Sequence, residues 1–179
     1  MFIELDLRRP SVHRWFGIRR VPGFTDYVVG RNALEEVLHT TTDFLLGGLE
    51  VERIVSTPGL ENFAFISCGN IPPNPVDLLS SSSTIETLNE LKEKYELVVL
   101  DTPPVLLFAD ALILSKYATY VVLVYRVGRI ARGALKRAKD MLTSIKANIV
   151  GVVLNDIRAE EMEPRYGYYY AYKYYVKEK

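Results

Sequence analysis

The chain is short of residues that cross-link or ligate. Of 179 residues one is cysteine, Cys68, and two are histidine, His13 and His39, so neither an intrachain disulfide nor a zinc-like cluster can be built. That scarcity fits a reducing, cytosolic setting. An excess of one charge is also missing: 22 basic and 22 acidic side chains cancel, which argues against a dedicated nucleic-acid binder. Long hydrophobic runs are absent as well. The most apolar stretch, Leu97 to Ser115, carries Asp101, Asp110 and the Pro103-Pro104 pair, which a bilayer-spanning helix would not accommodate. The first residues, Met1 to Asp6, have neither the basic start nor the long apolar stretch of a signal peptide and read as the interior of a strand.

What is present suffices for a folded α/β domain. Hydrophobic residues make up 49% of the chain, and a domain of this size buries roughly 70% of the surface its unfolded chain exposes. Short, nearly continuous apolar runs at Phe2 to Leu5, Phe63 to Ser67, Leu97 to Leu100, Tyr120 to Tyr125 and Ile149 to Leu154 predict strands buried on both faces of a parallel sheet. Helical patterns separate them. One is expected to begin at Ser83, with Glu86 returning a hydrogen bond to the cap, and to end near Tyr95. Another spans Ile130 to Lys146, with one apolar stripe and a basic opposite face that includes Arg132, Lys136, Arg137 and Lys139. Alternating strands and helices predict a doubly wound, mostly parallel sheet flanked by helices, with ligands beyond the carboxyl ends of the strands. The prolines of Ile71 to Pro75 predict a loop, and residues 30–52 read as a surface insertion. His13 and His39 read as surface helix residues. The domain is placed at residues 1–164. Residues 165–179 read as a tail, because seven of the last fourteen residues are tyrosine and aliphatic core residues nearly vanish.

Two strand ends deliver carboxylates to one edge of this sheet: Glu4-Leu5-Asp6 after the first and Asp101-Thr102-Pro103-Pro104 after the third. Such a pair can hold Mg²⁺ through oxygen ligands or bound water, or accept a hydroxyl proton. The same residues also serve as loop and helix caps in many α/β proteins. On spacing alone both readings stand.

The strings L-D-L-R-R-P-S-V-H-R-W-F-G, G-N-I-P-P-N-P-V-D-L-L-S-S, L-V-V-L-D-T-P-P-V and G-V-V-L-N, together with the terminal tyrosines, resemble bacterial tyrosine kinases. These are the cytoplasmic kinase domains of capsule and exopolysaccharide assembly, relatives of ParA/MinD-type P-loop ATPases. The resemblance runs through essentially the whole chain. It implies a P-loop NTPase-like fold that uses ATP and Mg²⁺, with Asp6 on the second acidic position of the Walker A′ motif, Glu4 where the first, usually Asp, is expected, and Asp101 as the Walker B acid. Glu4 and Asp6 are then the catalytic candidates, and Asp6 and Asp101 the metal ligands. Asn155 resembles the residue that contacts the adenine base; as a residue alone it is equally a turn former after a strand. Tyr166, Tyr168, Tyr169, Tyr170, Tyr172, Tyr174 and Tyr175 correspond to the autophosphorylated cluster.

One family motif has no counterpart. A phosphate loop needs G-x-x-x-x-G-K-[ST], and no Gly-Lys pair occurs in these residues. The sequence therefore reads as a tyrosine kinase domain truncated at its N-terminus or as a degenerate relative, inactive alone. The second expectation is a phosphoacceptor or adaptor docked on an intact kinase. Implied partners are a membrane polysaccharide co-polymerase or activator and further copies of the chain or a kinase homologue. The implied location is the inner face of the cell membrane, as a peripheral protein. No specific nucleic acid is expected. A third reading, a partition-type ATPase on DNA or a membrane surface, rests on the basic residues Arg126, Arg129, Arg132, Lys136, Arg137 and Lys139.

Overall fold

A computed structural model describes residues 1–48, 50–52 and 56–157. They fall into two compact units, Met1–Tyr117 and a second that begins at Ala118. In the first, β1 (Phe2–Glu4), β2 (Leu38–His39), β3 (Phe65–Ile66) and β4 (Val99–Asp101) form a sheet in the order β2-β3-β1-β4. Strand β1 is parallel to both neighbours: Ile3 lies opposite Ile66 on β3 and Leu100 on β4, and Glu4 opposite Asp101. A strand paired along both edges must bury both faces, and Ile3 and Glu4 are fully enclosed. Its continuation supplies Leu5 and Leu7 to a core with Phe24, Val37, Ile66, Leu79, Leu88 and Leu91.

The helices of this unit include α1 (Val12–Trp15), α2 (Phe24–Val28), α3 (Leu34–Val37), α4 (Thr41–Leu46), α5 (Pro75–Leu79), α6 (Ser82–Lys94) and α7 (Asp110–Ser115). Helix α6 is the expected one, but its cap is Ser81 rather than Ser83. The Ser81 Oγ accepts from the Thr84 amide at 3.2 Å, while the Thr84 hydroxyl donates to the Leu78 carbonyl at 2.7 Å. Burying Thr84 therefore fixes which serine of the run begins the helix. The loop at Ile71–Pro75 also ends one residue early. Pro75 opens α5, where its missing N–H leaves no bond unmade.

Residues 30–52 are not surface decoration. They contain α3, β2 and α4, and β2 pairs antiparallel with β3 at the sheet edge. Val37 and Phe44 are fully buried, and the Phe44 ring packs 4.7 Å from that of Phe16 and 5.8 Å from that of Phe63, centroid to centroid. His39 is half-buried on β2 near the ring of Phe65, not on a surface helix. His13 does lie on a helix, yet is buried.

In the second unit β5 (Val121–Arg126) and β6 (Ile149–Asn155) are parallel, joined through α8 (Arg132–Ser144), which buries Ala138 and Leu142. The ladders thus form two sheets, one per unit, where the sequence predicts one. The mixed α/β architecture with parallel strands flanked by helices is the expected one.

If residues 30–52 contribute core, Phe44→Ala destabilises the protein by about 3–5 kcal/mol, measured by urea denaturation. A surface insertion would lose less than about 0.5 kcal/mol.

Candidate active site

Parallel pairing decides where the acidic residues go. Because β1 and β4 run side by side, their chains leave the sheet at the same end, and the Leu5 amide donates to the Asp101 carbonyl at 2.9 Å. Asp101 is the last residue of β4, and Asp6 follows β1 by two. The Oδ1 of Asp6 accepts from the backbone amides of Arg8 and Arg9 at 3.1 and 2.9 Å. This local turn holds the carboxylate in place. Its Oδ2 has no hydrogen-bond partner among the described residues.

Asp101 is unusual electrostatically. Burial is the main cause that lifts its pKa from 3.8 to about 6, and the charges of Asp6 and Glu4 add to it. The two sequence-predicted metal ligands are therefore close enough to feel one another. Excess negative charge on hard oxygen donors, with one oxygen open, is what Mg²⁺ relieves, and Mg²⁺ typically takes one or two protein carboxylates and keeps several waters. The donor set fits that ion. Among the described residues no cluster of three or more metal-ligating side chains occurs.

Glu4 points elsewhere. Its carboxylate is fully buried and is claimed by four donors. Oε1 accepts from the amides of Ser11, at 2.6 Å, and Val12; Oε2 accepts from the Cys68 amide at 3.3 Å and lies 3.1 Å from His13 Nδ1. It ties the turn before α1 to β1 and to the end of β3. The Cys68 thiol, pushed up to about 12 chiefly by burial, is not a nucleophile.

The site also contains an ion pair that the sequence reading missed. Arg8 Nε and Nη2 donate to Asp110 Oδ2 and Oδ1 at 2.9 and 2.8 Å, a two-pronged clasp onto a fully buried carboxylate. The guanidinium lies 4.2 Å above the Phe108 ring. It joins the loop after β1 to the start of α7 and so braces the loop that carries Asp6. The available signal was Asp110 itself, an acid opening an otherwise apolar helix and so in need of a cation.

Asn155 is the last residue of β6, in the second unit; its Oδ1 accepts from the Asp156 amide at 2.9 Å. That is a turn-forming contact. The tyrosines from Tyr166 to Tyr175 lie outside the described residues. Of the basic residues around α8, Arg126 is paired with Asp156 at 2.8 Å, and Arg132, Lys136, Arg137 and Lys139 are exposed.

No family model matches the chain. It is 33% identical to a putative tyrosine-protein kinase EpsB of Ralstonia solanacearum, over 97% of this chain and 21% of that protein. It is 30% identical to the tyrosine-protein kinase YwqD of Bacillus subtilis, over 94% of this chain and 64% of that protein. The chain thus spans less than two thirds of either relative. Among solved structures, the VpsO kinase domain superimposes with a TM-score of 0.73 at 30% identity, covering 88% of this chain and 70% of that one. The kinase domain of the Escherichia coli tyrosine kinase ETK gives 0.73 at 29% identity, with 87% and 55% covered.

Two outcomes follow from this geometry. The folded-state pKa of Asp101 is raised, so its contribution to stability is present below 3.8 and lost as pH rises through about 6. Denaturation at stepped pH will show that loss in the wild type and not in Asp101→Asn, and Mg²⁺ at neutral pH will restore stability only where Asp101 is intact. Removing Arg8 strands a buried charge. Arg8→Ala costs about 3 kcal/mol or more, and Arg8→Ala with Asp110→Ala recovers part of it, as read by a double-mutant cycle in urea.

Proposed function

The chain belongs to the bacterial tyrosine kinases, and from that premise we propose that it serves ATP- and Mg²⁺-dependent phosphorylation of protein tyrosine in the control of exopolysaccharide or capsule export. The observation that carries the reading is that Asp6 and Asp101 lie at the same end of two adjacent parallel strands, where the charge of Asp6 helps to raise the pKa of Asp101. These are the residues that would hold Mg²⁺. The ion, when bound, supplies charge neutralisation on the phosphate oxygens of ATP during transfer.

The chain's own residues then divide the work. Asp6, held through Oδ1 and open at Oδ2, is positioned to accept the proton of an incoming tyrosine hydroxyl. Asp101 shares the metal. Glu4, with both oxygens committed to backbone amides and His13, shapes the turn that follows and does not act as the base. Asn155 remains the candidate for contact with an adenine base. Tyr166, Tyr168, Tyr169, Tyr170, Tyr172, Tyr174 and Tyr175 are the acceptors, and each phosphate would add about −1.5 to −2 charges.

No Gly-Lys pair stands in these 179 residues, so the lysine of a phosphate loop is not among them. That favours a second role, as phosphoacceptor or adaptor for an intact kinase. The partners in this reading are further copies of the chain or a kinase homologue, and a membrane polysaccharide co-polymerase. No helix among the described residues is long and apolar enough to cross a membrane. Attachment at the inner face through such a partner is part of the same proposal.

Incubation with ATP and Mg²⁺ alone is expected to give no phosphotyrosine above background. Addition of an intact bacterial tyrosine kinase labels the chain, and deletion of residues 166–179 removes the label, as read by phosphotyrosine immunoblot and mass spectrometry. Labelling that leaves the tyrosine cluster unmodified sinks the acceptor assignment.

A further inference from the structure

The stretch that carries Asp6 is closed into a loop by the side chain of Glu4, and one buried residue is given over to that side chain. Ser11, which precedes α1, makes no side-chain cap of its own. The amides of Ser11 and Val12 go instead to Glu4 Oε1, so a side chain of β1 caps α1 and joins the two ends of residues 4–12. Asp6 sits inside this loop, with its Oδ1 on the amides of Arg8 and Arg9. His13, on α1, is 8% exposed. Its Nδ1 lies 3.1 Å from Oε2 and 3.4 Å from Oε1 of Glu4, and its ring has no other hydrogen-bond partner among the described residues. Both Glu4 oxygens already accept from amides, so Nδ1 is the donor in this contact.

We infer that His13 is a positioning residue for the acidic edge: by donating to Glu4 it keeps the loop of residues 4–12 closed and so holds Asp6 in place. A buried carboxylate needs its acceptors met. Without the His13 donor, Oε2 keeps only the longer bond from the Cys68 amide, at 3.3 Å. Glu4 is then better satisfied by turning toward water, which releases the amides of Ser11 and Val12. An open loop has more conformations than a closed one, and the turn around Asp6 loses its frame. His13 acts through Glu4 and the backbone, without touching the carboxylate it positions.

The inference rests on the kinase reading only for what Asp6 does once positioned; its test reads the position itself. Amide hydrogen exchange is measured by NMR on the full chain. His13→Phe, which keeps a buried ring and removes the donor, is expected to speed exchange at Arg8, Arg9, Ser11 and Val12 by about tenfold or more while leaving Leu88 and Leu91 of α6 unchanged. His13→Asn, whose amide nitrogen stands where Nδ1 stood, is expected to return those rates to within about threefold of wild type. Mg²⁺ titration followed at the Arg8 and Arg9 amides should show binding weakened about tenfold or more by Phe and recovered by Asn. In the wild type the nitrogen-15 signals of His13 should place a proton on Nδ1. Exchange at Arg8 and Arg9 untouched by His13→Phe, an increase shared equally by α6, failure of Asn to rescue, or a neutral ring protonated only at Nε2 would each overturn the assignment. A wild type that binds no Mg²⁺ sinks the metal reading alone, since the exchange rates still decide whether His13 holds the loop.

Discussion

The pairing of β1 with β4 is the constraint on which the site depends. It brings the backbone of Glu4 level with Asp101 and leaves Asp6 just beyond, so that two parallel strands deliver their acids to the same end of the sheet. Each carboxylate is handled differently. Glu4 is buried and satisfied by donors, Asp6 is pinned through one oxygen, and Asp101 has its pKa raised chiefly by burial, with the charges of Asp6 and Glu4 adding to it. Burial and neighbouring acids together disfavour ionisation of Asp101, a cost that a cation bound there would relieve.

Two devices keep the arrangement from relaxing. Glu4 works as a cap turned inward: from the strand it reaches the amides of Ser11 and Val12 and so fixes the course of the chain after Pro10. The Arg8 clasp on Asp110 does the same from the other side, through a bond that spans 102 positions of sequence. A glutamate in a place where a shorter aspartate is usual fits the first device. The additional methylene lets the carboxylate extend to the turn before α1.

Much of this was legible in the sequence because it depends on local pattern. Continuous apolar runs marked the strands, helical spacing marked α6 and α8, and the strand ends pointed to Asp6 and Asp101. What was not legible depends on partners distant in sequence or on elements too short to show a period. β2 has two residues and α3 has four, so residues 30–52 read as a surface insertion although Val37 and Phe44 are core. His13 reads as a surface residue until Glu4 is placed beside it. Among the four serines from Ser80 to Ser83, any could cap a helix; only the burial of Thr84 selects Ser81.

The loop from Asp6 to Arg9 places acid and base next to each other for a physical reason. Its backbone amides are spent on Asp6, while the Arg8 side chain leaves for Asp110 and Arg9 stays exposed. The adjacent guanidinium is therefore engaged by a carboxylate 102 positions away, and Asp6 keeps one oxygen without a hydrogen-bond partner among the described residues. An acid positioned by amides rather than by a direct ion pair keeps an oxygen available to a hard cation, which a salt bridge at the same place would have taken.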